Sequence, residues 1–287
     1  MRILRANAEA LGYPRTFSIY DQSDAQRLAG YVVRDLGLDS KRFPPRAAHG
    51  QIRLWKNELV TPEQAVARAS NIFERKHADI YVEYQRRLHG AGAMDFDDLL
   101  MNTVMLFRQH PEVLSYYQRR FQHVLIDEYQ DTNTCQYEMV KLLVTGPGKK
   151  PMFTAVGDDD QAIYAWRGAS MENLRTLQAD FPDLKLIKLE QNYRSSTRIL
   201  QAANAVIGNN PKLFEKALWS EHGAGDPVNV LAMEDDEAEA DQVAMMLSAH
   251  KFERRAKFSD YAILYRGNHQ SRSIEKALRR ERIPYVM

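Results

Sequence analysis

The chain has 287 residues, room for two domains at ~150 residues each. Its 39 lysines and arginines against 38 aspartates and glutamates leave a formal net charge of +1. That excludes a globally basic coat protein and a polyacidic tail, but not a local basic groove. Apolar residues at 44% and charged residues at 27% suit a soluble chain with a buried core, and disfavour collagen, coiled-coil and disordered classes. One cysteine, Cys135, allows no intrachain disulfide and offers no zinc-ligand spacing. No apolar run approaches the ~20 residues that span a bilayer, and Met1 to Glu9 has no apolar signal region. The expectation is a cytoplasmic protein with no membrane partner.

From Asp24 to about His89 apolar residues recur at helical spacing, as in Ile72, Phe73, Ile80, Tyr81, Tyr84 and Leu88. Strand-like runs are absent there. Thr61-Pro62-Glu63 is a helix start, with Thr as cap and Pro at the first helical position. Gly90-Ala91-Gly92 ends the last of these helices, and Asp95 caps the next. Residues 21–93 therefore read as an all-helical unit. Between Ser40 and Asn57 lie Lys41, Arg42, Arg46, Arg53 and Lys56, with Trp55 among them and no acid. Such a stretch is either a patch that neutralises DNA phosphates or an ordinary solvated face.

Beyond residue 94 the pattern alternates. His123–Ile126, Met152–Val156 and Leu184–Leu189 read as buried strands, separated by helices at 133–144 and 170–180. A helix at 196–209, a strand at 228–232, a helix at 235–249, a strand at 261–265 and a helix at 270–281 follow. Alternation of this kind predicts an α/β fold, parallel sheets covered by helices. Glu234-Asp235-Asp236-Glu237 suits a helix start, where acids meet the positive end of the dipole. Cys135 reads as a small packing residue. The last residues, Ile283 to Met287, look like the beginning of a further strand.

Each of the first three strands ends in a chemistry-bearing segment. Asp127 and Glu128 follow the first, at the edge where open α/β sheets bind ligands. An Asp there can hold Mg²⁺, and the Glu can deprotonate a water attacking a phosphoryl group. The plain alternative is an acidic turn with capping roles. Gly157-Asp158-Asp159-Asp160-Gln161 follows the second strand. Three successive acids repel one another when buried, so some must face solvent or a cation, and Gln161 is placed to report on a terminal phosphate. Tyr164, Trp166 and Arg167 combine π surfaces with a cation, as base stacking and phosphate contact require, although a Trp also anchors loops into cores. The third strand runs into Gln191-Asn192-Tyr193-Arg194-Ser195. There Arg194 either stabilises charge on a transferred group or pairs with an acid such as Glu190.

Together, Asp127-Glu128-Tyr129-Gln130-Asp131-Thr132, the run from Val156 to Gly168, and Gln191 to Ser195 closely resemble motifs of UvrD/Rep-type superfamily 1 DNA helicases, in order and spacing. Tyr265 to Arg272 resembles a further segment of that family, with wording nearer Rep than UvrD. The resemblance implies RecA-like parallel sheets of the P-loop NTPase type with an all-helical insertion. Residues 1–20 and 94–194 would form part of domain 1A, 21–93 domain 1B, and 195–287 the first half of domain 2A. It implies ATP and Mg²⁺ as cofactors: Asp127 on the metal, Glu128 activating water, Gln161 and Arg194 at the γ-phosphate, and Tyr193 stacked on adenine. Tyr164, Trp166 and Arg167, with Arg266 and Asn268, would touch DNA. The partners implied are single-stranded DNA and duplex junctions, besides replication or repair proteins, and the activity is ATP-driven 3′ to 5′ translocation and unwinding.

The sequence lacks the P-loop pattern G-x-x-x-x-G-K-[ST]. Gly146-Pro147-Gly148-Lys149-Lys150-Pro151 lacks both the leading Gly and the Ser/Thr, and reads as a surface loop. The chain therefore reads as an internal segment of a helicase, with negligible ATPase of its own and uncovered apolar surface that favours aggregation. The rivals are a non-catalytic nucleic-acid-binding helicase remnant and part of a helicase–nuclease subunit.

Overall fold

A computed structural model describes residues 1–146, 148, 150, 152–165 and 168–287. Helix α1 (Arg2–Asn7) and the three-residue strand β1 (Ser18–Tyr20) precede four helices whose starts are written in the sequence. Asp21 caps α2 (Gln22–Asp35), a proline opens α3 (Pro45–Asn57), Thr61 caps α4 (Pro62–Arg68) and Asn71 caps α5 (Ile72–Gly90). Their apolar faces close one core in which Val32, Ile52, Ile80, Tyr81, Tyr84 and Leu88 are wholly buried. Each such aliphatic side chain contributes ~1.5–3 kcal/mol by leaving water. The first turn of α5 departs from the expectation. Ile72 is exposed, and Phe73 lies over Phe43 with ring centroids 5.0 Å apart.

The helical unit hangs from a neck that the sequence pattern does not announce. Strand β2 (Ala93–Asp95) runs parallel to β1, with Ser18 opposite Ala93 and Tyr20 opposite Asp95. These two strands carry the chain into and out of the helices between them. Asp95 is also the expected cap of α6 (Phe96–Gln109), in a reciprocal box with Asp98.

After α7 (Pro111–Arg120), β3 (Val124–Ile126), α8 (Thr134–Val144) and β4 (Phe153–Ala155) form a parallel unit with Val124 opposite Phe153 and Ile126 opposite Ala155. A helix between parallel strands is the connection that such pairing requires. Val124, Ile126, Phe153 and Ala155 face a core containing Tyr129, Leu174, Leu177 and Phe181. Leu125 points the other way and is exposed, so β3 is not the doubly buried strand the sequence suggests. Helices α9 (Glu172–Asp180), α10 (Thr197–Ile207), α11 (Asp236–Arg254) and α12 (Ser271–Arg280) match the expected helical stretches. Asp235 caps α11 through the Ala238 N–H at 2.7 Å.

Three expected strands do not form. Leu184–Leu189, 228–232 and 261–265 belong to no ladder, and Ile187, Leu189, Val230 and Leu264 are exposed. A run with strand composition becomes a strand only against a partner backbone, and the described residues bring none alongside. Among the described residues the result is mostly helical with two small parallel sheets, an α/β chain. It divides into two compact units, 1–192 with 203–219, and 193–202 with 220–287. The second is centred on α11 and α12, around Ala240, Ala244, Ala277, Leu278 and Ile283. Among the described residues no helix is long and apolar enough to cross a membrane.

Candidate functional site

The tips of β3 and β4 are laced together beyond the strands. The Val156 N–H donates to the Ile126 carbonyl at 2.8 Å, and the Tyr129 N–H donates to the Val156 carbonyl at 2.9 Å. Between these bonds the chain turns sharply: Glu128 has φ 49, in the left-handed region that costs a non-glycine residue about 1–3 kcal/mol. The Asp127 carboxylate accepts from the Glu128 N–H at 3.0 Å, a local bond that helps hold the turn. Both acids are exposed.

Gln130, buried beneath them, joins the two tips. Its Nε2 donates to Glu128 Oε2 at 2.8 Å, and its Oε1 accepts from the Asp158 N–H at 3.0 Å. Asp158 Oδ2 in turn accepts from Gln161 Nε2 at 2.7 Å. Glu128 and Gln161, predicted from separate motifs, thus stand at the two ends of one hydrogen-bond relay inside one compact unit. Gly157 makes room for it, since a Cβ there would lie 2.9 Å from Gln130 Oε1.

The three successive acids have found their cation within the chain. Lys216 Nζ lies 2.5 Å from Asp158 Oδ1 and 3.1 Å from Asp160 Oδ2, and also pairs with Asp159. Asp159 Oδ2 accepts the Leu213 and Phe214 N–H groups at 3.1 and 3.3 Å. Burial pushes the Asp158 carboxyl up, but Lys216 and Gln161 outweigh it and hold the group below its ordinary range. Burial works against the charge of Lys216 as well, and the acids around it raise its pKa nevertheless.

These placements bear on metal and nucleotide binding. The acids at 158–160 are close enough to share an ion, but the Lys216 ammonium already sits among them and offsets part of their charge. Asp127 has the donor chemistry for Mg²⁺: a hard carboxylate at an exposed strand tip, with an oxygen that makes no hydrogen bond among the described residues.

The other predicted residues are distributed as follows. Tyr164 is half-buried, and its carbonyl accepts from the Ala169 N–H at 3.3 Å. Trp166 and Arg167 lie outside the described residues, as do Pro147, Lys149 and Pro151 of the glycine-containing loop. Tyr193 and Arg194 are exposed members of the second unit, where the Tyr193 carbonyl accepts from the His222 ring at 2.8 Å. No strand delivers them; Gln191 instead forms a single parallel bridge with Trp219. Arg266 and Asn268 are exposed just before α12, beside a turn in which the Gly267 N–H donates to Gln270 Oε1 at 2.8 Å.

The basic stretch is smaller than its composition suggests. Lys56 is wholly buried, its Nζ 2.7 Å from Asp95 and 2.8 Å from Asp98. Tyr84 Oη donates to Asp95 at 2.8 Å, and Gln85 Nε2 donates to Asp98 at 3.1 Å. Lys56 is thus a core ion pair, closed to DNA. Arg53 is held by Asp97 at 3.2 Å, and Trp55 stacks on Tyr81. Lys41, Arg42 and Arg46 remain exposed. Next to Lys56, the buried Asn57 accepts from Asn133 Nδ2 at 2.8 Å, tying α3 to the cap of α8. Cys135 packs with Met101 and Val104, and burial pushes its thiol up to about 12.

Sequence reasoning missed Gln130 as a bridge, Lys216 as the cation of the acid run, and the burial of Lys56. The demand of three adjacent acids for a cation was readable, but not which residue meets it.

Residues 1–182 match the model of the UvrD/REP helicase N-terminal domain, and 187–287 that of the UvrD-like helicase C-terminal domain. The chain is 48% identical to the ATP-dependent DNA helicase Rep of Escherichia coli over 283 residues, 99% of this chain and 42% of that protein. It is 43% identical to the ATP-dependent DNA helicase PcrA of Staphylococcus epidermidis over 287 residues, 100% of this chain and 39% of that one. It is 45% identical to the ATP-dependent DNA helicase UvrD1 of Mycobacterium tuberculosis over 293 aligned positions, 99% and 38% respectively. The chain thus spans about two-fifths of the length of these relatives. Two domain models that between them run almost the full sequence, and acid and glutamine motifs joined at neighbouring strand tips, give one conclusion: the chain belongs to the UvrD/Rep helicase family.

Proposed function

We propose that this chain is the part of an ATP-dependent DNA helicase that senses nucleotide and grips single-stranded DNA, moving 3′ to 5′ and opening duplex junctions. Residues 1–20 and 94–194 serve as part of a RecA-like domain 1A, 21–93 as domain 1B, and 195–287 as the first half of a RecA-like domain 2A. The observation that carries the reading is the relay from Glu128 through Gln130 and Asp158 to Gln161. It links a general base to a phosphate-reporting amide, as hydrolysis linked to movement requires. Asp127 would hold Mg²⁺, which supplies charge neutralisation at the phosphates when bound. Glu128 orients and deprotonates the attacking water, Gln161 contacts the terminal phosphate, and Arg194 offsets its developing charge. Tyr193 stacks on the adenine. Tyr164, Trp166, Arg167, Arg266 and Asn268 contact the strand, and the exposed Lys41, Arg42 and Arg46 add phosphate neutralisation.

The test is a hybrid in which this chain replaces the matching two-fifths of the Escherichia coli relative. The hybrid should hydrolyse ATP in response to single-stranded DNA, and Glu128→Gln should lower the rate by ~10²–10³-fold, the scale of losing one group that acts on the transition state. The 287 residues contain no G-x-x-x-x-G-K-[ST] run. This supports a second reading for the chain taken by itself, as a nucleic-acid-binding piece without measurable hydrolysis. A hybrid that binds DNA indifferently to nucleotide and turns over no ATP would leave only that second reading.

A further inference from the structure

Lys216 sits 58 residues beyond Asp158 and 55 residues beyond Gln161 in the sequence, yet the backbone around it is folded onto their loop. Besides its ammonium on Asp158, Asp159 and Asp160, the two N–H groups of Leu213 and Phe214 point at Asp159. Lys212 Nζ donates to the Lys216 carbonyl at 3.2 Å, and Lys188 Nζ donates to the Glu215 carbonyl. The acid that receives Gln161 on one oxygen receives Lys216 on the other, so the rotamer of Asp158, and through it the direction of Gln161, is fixed from both sides. Lys216 is half-buried, with its side chain 20% exposed, where charge-assisted bonds are stronger than at a free surface.

The same stretch of chain continues directly to the segment that leads into Tyr193. The Ala217 N–H donates to Glu190 Oε1 at 2.9 Å, and the Trp219 N–H donates to the Glu190 carbonyl at 3.0 Å. The Asn192 N–H donates back to the Trp219 carbonyl at 2.7 Å, while Leu218 is held at both its N–H and its carbonyl by Asn204. Residues Leu213 to Trp219 thus bind the glutamine loop at one end and residues 190–192 at the other.

We propose that Lys216 is a positioning residue for Gln161, and that Leu213–Trp219 is a strap tying the glutamine loop to the segment preceding Tyr193 and Arg194. A shift of either attachment is transmitted to the other through a short, hydrogen-bonded stretch. The inference rests on the nucleotide-hydrolysing reading above and adds the device that keeps its sensor aligned.

The test uses the hybrid helicase with Lys216→Met and Lys216→Arg. Misplacing a positioned group by about 1 Å costs on the order of 10²-fold in rate. Lys216→Met should therefore lower kcat for DNA-stimulated ATP hydrolysis by about 10–100-fold while KM for ATP moves less than about threefold. Lys216→Arg, which keeps the charge, should retain at least about a third of the parental kcat. A parental hybrid that hydrolyses ATP and a Lys216→Met variant within about twofold of it would overturn this inference and leave the functional reading intact. Parallel loss of kcat, KM and the folding transition, unrescued by arginine, would make Lys216 a structural residue only and overturn it too. A parental hybrid with no hydrolysis removes the functional reading, and this inference falls with it.

Discussion

Two lysines in this chain are each surrounded by aspartates, and they have opposite uses. Lys56 lies at the junction of the helical unit and the neck, with no exposure, between Asp95 and Asp98. Lys216 lies at the strand tips, partly exposed, on Asp158, Asp159 and Asp160. Around Lys56 every oxygen serves architecture: Asp95 and Asp98 cap α6 reciprocally, and Tyr84 and Gln85 of α5 complete the set. Around Lys216 the acids hold a turn that ends in an exposed glutamine. Identical pairing chemistry makes a keystone where water is excluded and a support for an exposed turn where it is admitted.

The largest effect should come from removing the keystone's charge. Lys56→Met leaves two carboxylates buried without a cation, which costs about 3–5 kcal/mol. Urea unfolding at pH 7 measures it. Lys56 is held above its ordinary pKa because Asp95 and Asp98 outweigh burial, and Lys56 in turn keeps Asp95 below its own despite burial. Asp98 is pushed up to about 6, first by burial and then by Asp95. Lys56 is what holds the Asp98 carboxyl down against burial and Asp95. Without it Asp98 takes up a proton more readily than in the parent, and the Lys56→Met deficit should shrink as the pH falls from 7 to 5. A deficit independent of pH would show that lost packing, not stranded charge, is responsible.

His49 sharpens the same contrast. It is buried beside Tyr84, its Nε2 has no hydrogen-bond partner among the described residues, and burial pulls its pKa from 6.5 to about 4. Asp95 pulls the other way, while Arg53 and Lys56 add to the depression. The unfolded chain therefore takes up a proton that the folded one refuses. The stabilising contribution is complete above about pH 6.5 and is lost as pH falls toward 4, by up to about 3 kcal/mol. Asp98, which gains its proton in the folded state first, offsets part of the loss between about pH 6 and 3.8. His49→Leu should flatten the fall of stability between pH 7 and 4.5. An unchanged slope would assign acid sensitivity to other groups.

What the sequence made legible follows from range. Helices were readable because caps such as Thr61 and Asp235 and the 3.6-residue period act within a few positions. The acids and the glutamine of the candidate site were readable because each follows its strand directly. The neck was not, since three residues each of β1 and β2 carry too little pattern to register. Leu184–Leu189 misled for the converse reason: its composition satisfies a strand, but pairing is decided by a distant backbone. Lys56 and Lys216 take their meaning from acids far along the chain, 39 residues away for Lys56 and Asp95. A count of local charge therefore placed the first on the surface and overlooked the second.

The smallest effect on stability, and the most informative about the strand tips, belongs to Gly157. Its φ is not left-handed, so glycine is required there for space rather than for backbone freedom. An alanine Cβ would sit 2.9 Å from Gln130 Oε1 and 3.3 Å from the Gln130 nitrogen and Tyr129 Cβ. The amide side chain is the part able to move, and moving it breaks the bonds to both Glu128 and Asp158. Gly157→Ala should destabilise by about 1–2 kcal/mol, the lower range for an overpacked site. With Gln130→Ala already in place the obstacle is gone, and the cost of Gly157→Ala should fall below about 0.5 kcal/mol, a non-additivity expected of residues in contact. A penalty of the same size in both backgrounds would place the conflict on the Tyr129–Gln130 backbone. The buried glutamine would then be a bystander to the close approach of the two tips, and the relay from Glu128 to Gln161 would lose its central link as an energetic connection.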